Sequence, residues 1–244
     1  MNDSAGGQEI SERDDSDGAV KLYKRDFWSK ENLKFIHPHF RLRKAARIVN
    51  RMARGKDCDL LDVGCGPATL MKLLDDNIHY YGIDIAIQEP APNLMEIDFI
   101  EMPVKFGDKR FDIVLAQGVF EYVGEFQSAK FAEISTLLQP GGQFICSYMN
   151  FGHFNKSIHP LFNNIQSIQA FRKSLSGYFG TVRSFPVGHN RNMSAPQKKW
   201  LQAIQMHMNL NIPVISPVLA SEYLFVCSSP VAGSPPGQPV TAEA

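Results

Sequence analysis

No stretch of this 244-residue chain reaches 18 consecutive apolar residues, so none of it reads as a membrane-spanning helix. Net charge is lacking too: 25 basic residues meet 25 acidic ones. That balance excludes a protein that grips nucleic acid by bulk charge alone. Cysteine is sparse. Cys58, Cys65, Cys146 and Cys227 stand far apart, with neither metal-ligand spacing nor a disulfide-framework pattern. Reduced thiols in the core of a cytoplasmic protein are the expectation. The first residues are acidic and polar, unlike a secretory leader. No internal repeat is present. This length suits one α/β domain, which buries roughly 70–75% of its unfolded surface.

The chain is organised around Leu60-Leu61-Asp62-Val63-Gly64-Cys65-Gly66-Pro67-Ala68-Thr69-Leu70. The apolar run Leu60 to Val63 reads as a buried strand. Gly64 and Gly66 then allow a sharp turn and a close approach of backbone to a ligand. Leu70, Leu73 and Leu74 follow at helical spacing. The spacing therefore predicts strand, glycine turn and helix, with unpaired N–H donors at the helix start. A dinucleotide fingerprint would carry its third glycine where this chain has Thr69. His79 to Asp84 is a second strand, and its terminal acid follows the first glycine by about 20 residues. An acid in that place hydrogen-bonds ribose hydroxyls in such folds.

Five ordered segments, LLDVGCGPATL, YYGIDIA, MEIDF, FDIVLAQGVFEYV and LLQPGGQFICS, resemble a class I S-adenosylmethionine-dependent methyltransferase over residues 58–148. The resemblance implies a Rossmann-like α/β fold. Its seven-stranded sheet is mostly parallel, with an antiparallel last strand beside strand five and helices on both faces. It implies S-adenosylmethionine as cofactor, held by Asp62, Gly64, Cys65, Gly66, Asp84, Ile85, Asp98, Phe99, Gln117 and Gly118. Asp98 takes the place of the acid that accepts from the adenine amino group, and Phe99 that of the apolar side chain on the ring. A turn or cap role for Asp98 is the alternative. With Thr69 at the third glycine, a nicotinamide-linked oxidoreductase is the weaker reading.

Residues 1–19 are acidic, with little apolar content, and read as a disordered tail. Residues 20–229 read as the methyltransferase domain with an N-terminal helical cap. A helix from Arg41 buries Leu42, Ala45, Ala46, Val49 and Met52; its basic residues read as a solvated face or an anion patch. In the resembled family the cap shapes the substrate pocket. That makes Tyr23, Phe27, Trp28, His37 and His39 acceptor-side candidates, with core packing equally open for Phe27 and Trp28. Further elements are expected as strand 58–63, helix 68–75, and strands 80–84, 94–97 and 111–115. They continue with helix 126–138, strand 143–147, helix 165–176, strand 181–185, helix 195–210 and strand 223–228. Pro140-Gly141-Gly142 ends the helix before strand five. Residues 230–244, rich in Pro, Gly and Ala, read as a second disordered tail.

Many relatives carry an acid followed by His after strand four, where this chain has Glu121-Tyr122. Tyr122 either orients a substrate or packs. The loop after strand five brings Phe151, His153 and His159. His153 and His159 rank first as general bases, ahead of His37 and His39, because imidazole titrates nearest neutrality. The Asn/Asp-Pro-Pro-Tyr/Phe motif for exocyclic base amines, the Pro-Cys pair for cytosine C5 and the paired glutamates of arginine methyltransferases are absent. The remaining acceptors are a small molecule, natural product, sugar or lipid-linked glycan, with oxygen before nitrogen before carbon. No nucleic-acid partner and no metal is expected, and oligomeric state leaves no mark on the sequence. A non-catalytic binding protein on the same fold is the reading from another class.

Overall fold

The computed structural model describes residues 25–37, 39–152, 162–187, 203–204, 206–207, 211 and 213–231. The acidic tail, Tyr23, His153, His159, most of the helix expected over 195–210 and residues 232–244 lie outside the described residues.

Helix α1, Arg25–Glu31, leads through a 3-10 turn, Asn32–Phe35, to α2, Phe40–Ala53. His39 caps α2: its Nδ1 accepts the N–H of Leu42 at 3.2 Å. Strands β1 (Cys58–Val63), β2 (Ile78–Asp84), β3 (Leu94–Glu96) and β4 (Phe111–Ala116) follow. Then come α3 (Phe120–Val123), α4 (Gln127–Leu137), β5 (Leu138–Met149), α5 (Ile168–Ser176), β6 (Phe179–Val187) and β7 (Glu222–Pro230). The seven strands form one sheet in the order β3-β2-β1-β4-β5-β7-β6. Pairings among β1 to β5 are parallel; β7 runs antiparallel to both β5 and β6. This is the expected mixed sheet with the last strand inserted beside strand five.

Alternation along the strands divides the core into two layers. Leu60, Leu115, Ile145 and Leu224 face α2 through Ala45, Ala46, Val49 and Ala53. Their neighbours Leu61, Val114, Phe144 and Phe225 face the other way, onto Phe131 and Ile134 of α4 and Phe171 and Leu175 of α5. Strands buried on both faces carry near-continuous apolar sequence for this reason. Tyr148 stacks on Phe171 at 4.0 Å between centroids, a pairing that anchors α5 to β5.

Three elements differ from expectation. The helix expected over 68–75 is only a 3-10 turn, Thr69–Leu73. Ala68 enters it in the left-handed region at φ 50°, which an α-helix start does not allow. Thr69 donates its hydroxyl to the Phe35 carbonyl at 2.7 Å, tying the turn to the N-terminal segment. The anion-binding helix start is therefore missing. Strand β5 also starts earlier, directly at the end of α4. Phe111 pairs with Leu138, and the register then shifts before Ile113 meets Gln143. The longer β5 side carries the extra residues, of which Pro140 and Gly141 (φ 82°) are pushed out as an exposed bulge rather than forming a separate loop. At the other end β7 runs through Pro230, into the stretch read as a tail.

Candidate active site

The chain leaves β1 outward to β2 and β3, then returns to β4 on the other side of β1. Ligands of open α/β sheets bind at such a reversal, beyond the carboxyl ends of the strands. A cavity of about 330 Å³ lies there. Its lining begins at the β1 turn with Asp62, Gly64, Cys65 and Gly66, continues through Asp84 and Ile85 after β2, and reaches Asp98 and Phe99 beyond β3. Gln117, Gly118, Glu121 and Tyr122 after β4, Met149 at the end of β5, and Phe162 complete the far side. The N-terminal segment roofs it with Trp28, Asn32, Phe35, His39 and Arg41. Every cofactor residue expected from the sequence thus lines one cavity.

The β1 turn is built for close approach. Gly64 and Gly66 have φ of 72° and 53°, a region that glycine enters without strain. Both N–H groups are used: Gly64 donates to Ile83 at 2.8 Å and Gly66 to Oδ2 of Asp84 at 2.9 Å. Oδ1 of Asp84 accepts the Ala86 N–H at 3.0 Å and Nδ2 of Asn32 at 3.2 Å. Burial pushes the Asp84 carboxyl above the usual range, against these donors. Asp62 is buried beside it and accepts the Tyr80 hydroxyl at 2.8 Å. Burial raises Asp62 to about 7, with the Asp84 charge adding to the effect. Asp98 lines the cavity and also holds a turn, since its Oδ1 accepts from Ile100 and Glu101 at 3.0 and 3.3 Å. Both roles read from the sequence are compatible, because Oδ2 has no hydrogen bond among the described residues.

The far side is aromatic and acidic. Tyr122 stands edge-on to Trp28 at 5.3 Å and to Phe162 at 5.1 Å. Oε1 of Glu121 accepts the Met149 N–H at 2.8 Å, while Oε2 is buried without a partner. Burial, then the charge of Glu222, raise Glu121 to about 7. Arg41 pairs with Glu222 at 2.9 Å, and its guanidinium lies over Gly118, where a Cβ would approach it to 3.1 Å. Both polar atoms of the Gln117 side chain are buried and unpartnered. His39 is held near pKa 4 by burial and by Arg41. With Nδ1 accepting from Leu42, the neutral ring carries its proton on Nε2, so His39 is a donor and not a base.

Other acceptor-side candidates lie elsewhere. Phe27 packs edge-on behind Trp28 at 5.2 Å and does not line the cavity. His37 is exposed and outside the lining. Phe151 is buried behind the wall, edge-on to Tyr148 at 5.6 Å and to Phe162 at 5.7 Å. The sequence reading missed Asn32 and Glu222, left Arg41 between a solvated face and an anion patch, and gave Glu121 no role. Asn32 and Arg41 act across long sequence separations, which no local pattern signals. Glu121 was visible as the acid of the altered acid-His position.

Among the described residues no cluster of His, Cys, Asp and Glu is arranged to hold a metal ion. A family model described as a methyltransferase domain matches residues 37–207. The chain belongs to this methyltransferase family. No curated protein sequence matches it. Its fold is similar to that of a S-adenosylmethionine-dependent methyltransferase from Archaeoglobus fulgidus (17% identity, 84% of this chain and 100% of that one, TM-score 0.59). A Burkholderia thailandensis 1,6-didemethyltoxoflavin-N1-methyltransferase, solved with 1,6-didemethyltoxoflavin and S-adenosylhomocysteine, shares 16% identity over 83% and 84% of the two chains, TM-score 0.53. Phosphoethanolamine N-methyltransferase 2 of Haemonchus contortus shares 14% over 86% of this chain and 58% of that one, TM-score 0.54. The methyltransferase fold accounts for the cavity's position, and the donor set fits S-adenosylmethionine. A glycine cradle, acids after β2 and β3 and an aromatic ring beside the second acid are the groups that would suit an amino-acid arm, a ribose and an adenine in turn.

Proposed function

We propose that this S-adenosylmethionine-dependent methyltransferase carries the methyl group to a small-molecule acceptor, at a hydroxyl oxygen. One observation carries the reading: a single cavity runs from the glycine turn and the acids Asp84 and Asp98 to an aromatic chamber formed by Trp28, Tyr122 and Phe162. Asp84 would hold the ribose hydroxyls, Asp98 the adenine amino group through Oδ2, and Phe99 the ring face. When bound, the cofactor supplies a methyl group already activated by its sulfonium. The protein's part is to position an acceptor and keep water out, and positioning alone is worth roughly 7–11 kcal/mol. Chamber walls of this kind suit an apolar molecule or a sugar ring.

Two of the fold relatives are nitrogen methyltransferases by name, but at their level of identity they speak to the fold. The preference for oxygen rests on the make-up of the chamber, in which aromatic rings stand beside the Glu121 carboxyl while Arg41 is matched by Glu222. Four free, buried thiols support a cytoplasmic setting. Among the described residues no helix is long and apolar enough to cross a membrane. Residues 20–229 are assigned to one domain.

Calorimetry with S-adenosylhomocysteine, with NADH as competitor, tests the cofactor. Radiolabelled S-adenosylmethionine offered to hydroxyl and amine acceptors in parallel tests the acceptor atom. Absence of binding at millimolar S-adenosylhomocysteine would sink the reading. Label transferred only to amines would sink the oxygen assignment.

A further inference from the structure

Three buried polar side-chain atoms in the described residues have no partner: Oε2 of Glu121 and both polar atoms of Gln117. All belong to cavity-lining residues. A buried group left unpaired costs about 1–3 kcal/mol, more when charged, so a ligand that completes it is the physical expectation. Gln117 leaves β4 beside the glycine turn, where the cofactor of the proposed function would complete it. Glu121 lies one turn further on, among the aromatic rings.

The Glu121 carboxyl is held in place rather than loose. The Met149 N–H fixes Oε1 at 2.8 Å, and the Glu121 carbonyl accepts from the N–H groups of Asn163 and Asn164 at 3.1 and 3.2 Å. Around it stand Arg41 of α2, Glu222 of β7, Tyr122 of α3, and Cys146 and Tyr148 of β5. Glu121 and Glu222 repel an anionic acceptor. A protonated amine, which the same carboxylates would attract, has no lone pair to offer the methyl. An uncharged hydroxyl meets neither obstacle, donates to a free carboxylate oxygen, and keeps lone pairs for attack.

We propose that Glu121 is the proton acceptor of the methyl transfer, its free Oε2 holding the hydroxyl of a neutral acceptor seated between Trp28, Tyr122 and Phe162. The proposal rests on the S-adenosylmethionine reading above. As the acceptor oxygen bonds to the methyl carbon, the S–CH3 bond breaks and its electron pair stays on sulfur. The hydroxyl proton passes to Oε2. Burial suits Glu121 to the task, because a carboxyl raised to about 7 is a stronger base than an ordinary one and is still ionised at slightly alkaline pH.

The geometry is testable without knowing the acceptor. Sinefungin carries a primary amine where S-adenosylmethionine carries its transferable methyl, so its ammonium projects to the place of attack. Binding of sinefungin and S-adenosylhomocysteine is measured by calorimetry at pH 6 and pH 8, for the wild type and Glu121→Gln. The wild type should prefer sinefungin at pH 8 by about tenfold or more, as a charge-assisted hydrogen bond requires. The preference should shrink at pH 6, where Glu121 is protonated. Glu121→Gln should lose it at both pH values and keep its S-adenosylhomocysteine affinity. An equal preference in both proteins, or a wild-type preference that ignores pH, overturns the proposal while the cofactor reading stands. Failure of the wild type to bind either ligand overturns both. The wild-type pH comparison needs no variant, so a misfolded Glu121→Gln would not protect the proposal.

Discussion

Asp84 and Gly66 close the cofactor turn on each other: the acid at the end of β2 accepts the glycine N–H at 2.9 Å, across two strand ends. Asp84 also lines the cavity. Asp84 is a turn clamp, and the proposed function makes it a ligand residue as well. Asp84→Ala is expected to lower the melting temperature and to weaken S-adenosylhomocysteine by tenfold or more, since hydrogen bonds to a charged group are worth about 1.5–3 kcal/mol each. Asp84→Asn should not rescue it. The amide has one acceptor atom, so either Gly66 or the Ala86 and Asn32 donors lose their partner. Full ligand affinity in a destabilised Asp84→Ala protein, read by calorimetry, would leave only the clamp.

Asn32 joins the N-terminal segment to that clamp. It is 3% exposed, and its Nδ2 reaches Oδ1 of Asp84 at 3.2 Å and the Ala86 carbonyl at 3.3 Å. Asn32→Ala removes both bonds, a loss of about 0.5–1.5 kcal/mol each. Hydrogen exchange over residues 25–36 should speed up, and S-adenosylhomocysteine affinity should fall several-fold as the roof loosens. Unchanged exchange in that segment would show that Thr69, Gln88 and the Arg25–Glu96 pair hold it without Asn32.

Those long-range contacts mark where reading from sequence stopped. Strand β1 was legible to the residue, because Leu60 to Val63 is bounded by a glycine pair. The place of β7 beside β5 followed from the family resemblance. The lining between the glycine turn and Phe99 was legible because its residues sit at strand ends, each fixed by its own strand. Asn32 and Arg41 were not, since their value comes from packing against residues 52 and 181 positions away. The expected helix at 68–75 failed for a local reason: Ala68 at φ 50° is a conformation that alanine composition argues against. Histidines drew the search for a base through their ordinary pKa. His153 and His159, which ranked first, lie outside the described residues; of the groups that line the cavity, burial takes His39 down to about 4 and Glu121 up to about 7.

Gly64 should tolerate no side chain, for two separable reasons. Its φ of 72° costs another residue about 1–2 kcal/mol. A Cβ there would also stand 2.6 Å from Cγ2 of Val119, closer than atoms pack. Gly64→Ala is expected to displace Val119 into the cavity and abolish tight S-adenosylhomocysteine binding. Val119→Ala added to it should restore part of the affinity, leaving the backbone strain. At Gly66 a Cβ would meet Oδ1 of Asn32 at an ordinary 3.5 Å, so Gly66→Ala should lose less. A double-mutant cycle measures the coupling, expected at roughly 0.5–3 kcal/mol. Strict additivity would mean that Val119 yields without cost.

Glu121 should also shape the pH dependence of stability. Its folded pKa is about 7 against an ordinary 4.5, a difference of about 3 kcal/mol as an upper figure. Because the folded value is the higher one, the folded protein binds the extra proton. That stabilisation is fully present below pH 4.5 and is lost as pH rises to about 7. Glu121→Gln never ionises, so it should gain on the wild type across the same interval. His39, held near 4, works in the opposite sense, losing stability as pH falls from 6.5 towards 4. It does so equally in both proteins and cancels from the difference. Melting temperatures of the ligand-free proteins at pH 5 and pH 8 should therefore diverge. Glu121→Gln should stand several degrees above the wild type at pH 8, and the gap should narrow at pH 5. Oε1 remains an acceptor for the Met149 N–H in the amide, so the variant keeps the contact that fixes the side chain. A gap that is the same at both pH values would mean that Glu121 stays ionised in the folded chain at pH 5. Its Oε2 would then have water or an ion for a partner, and the carboxyl would be too weak a base for the role given to it.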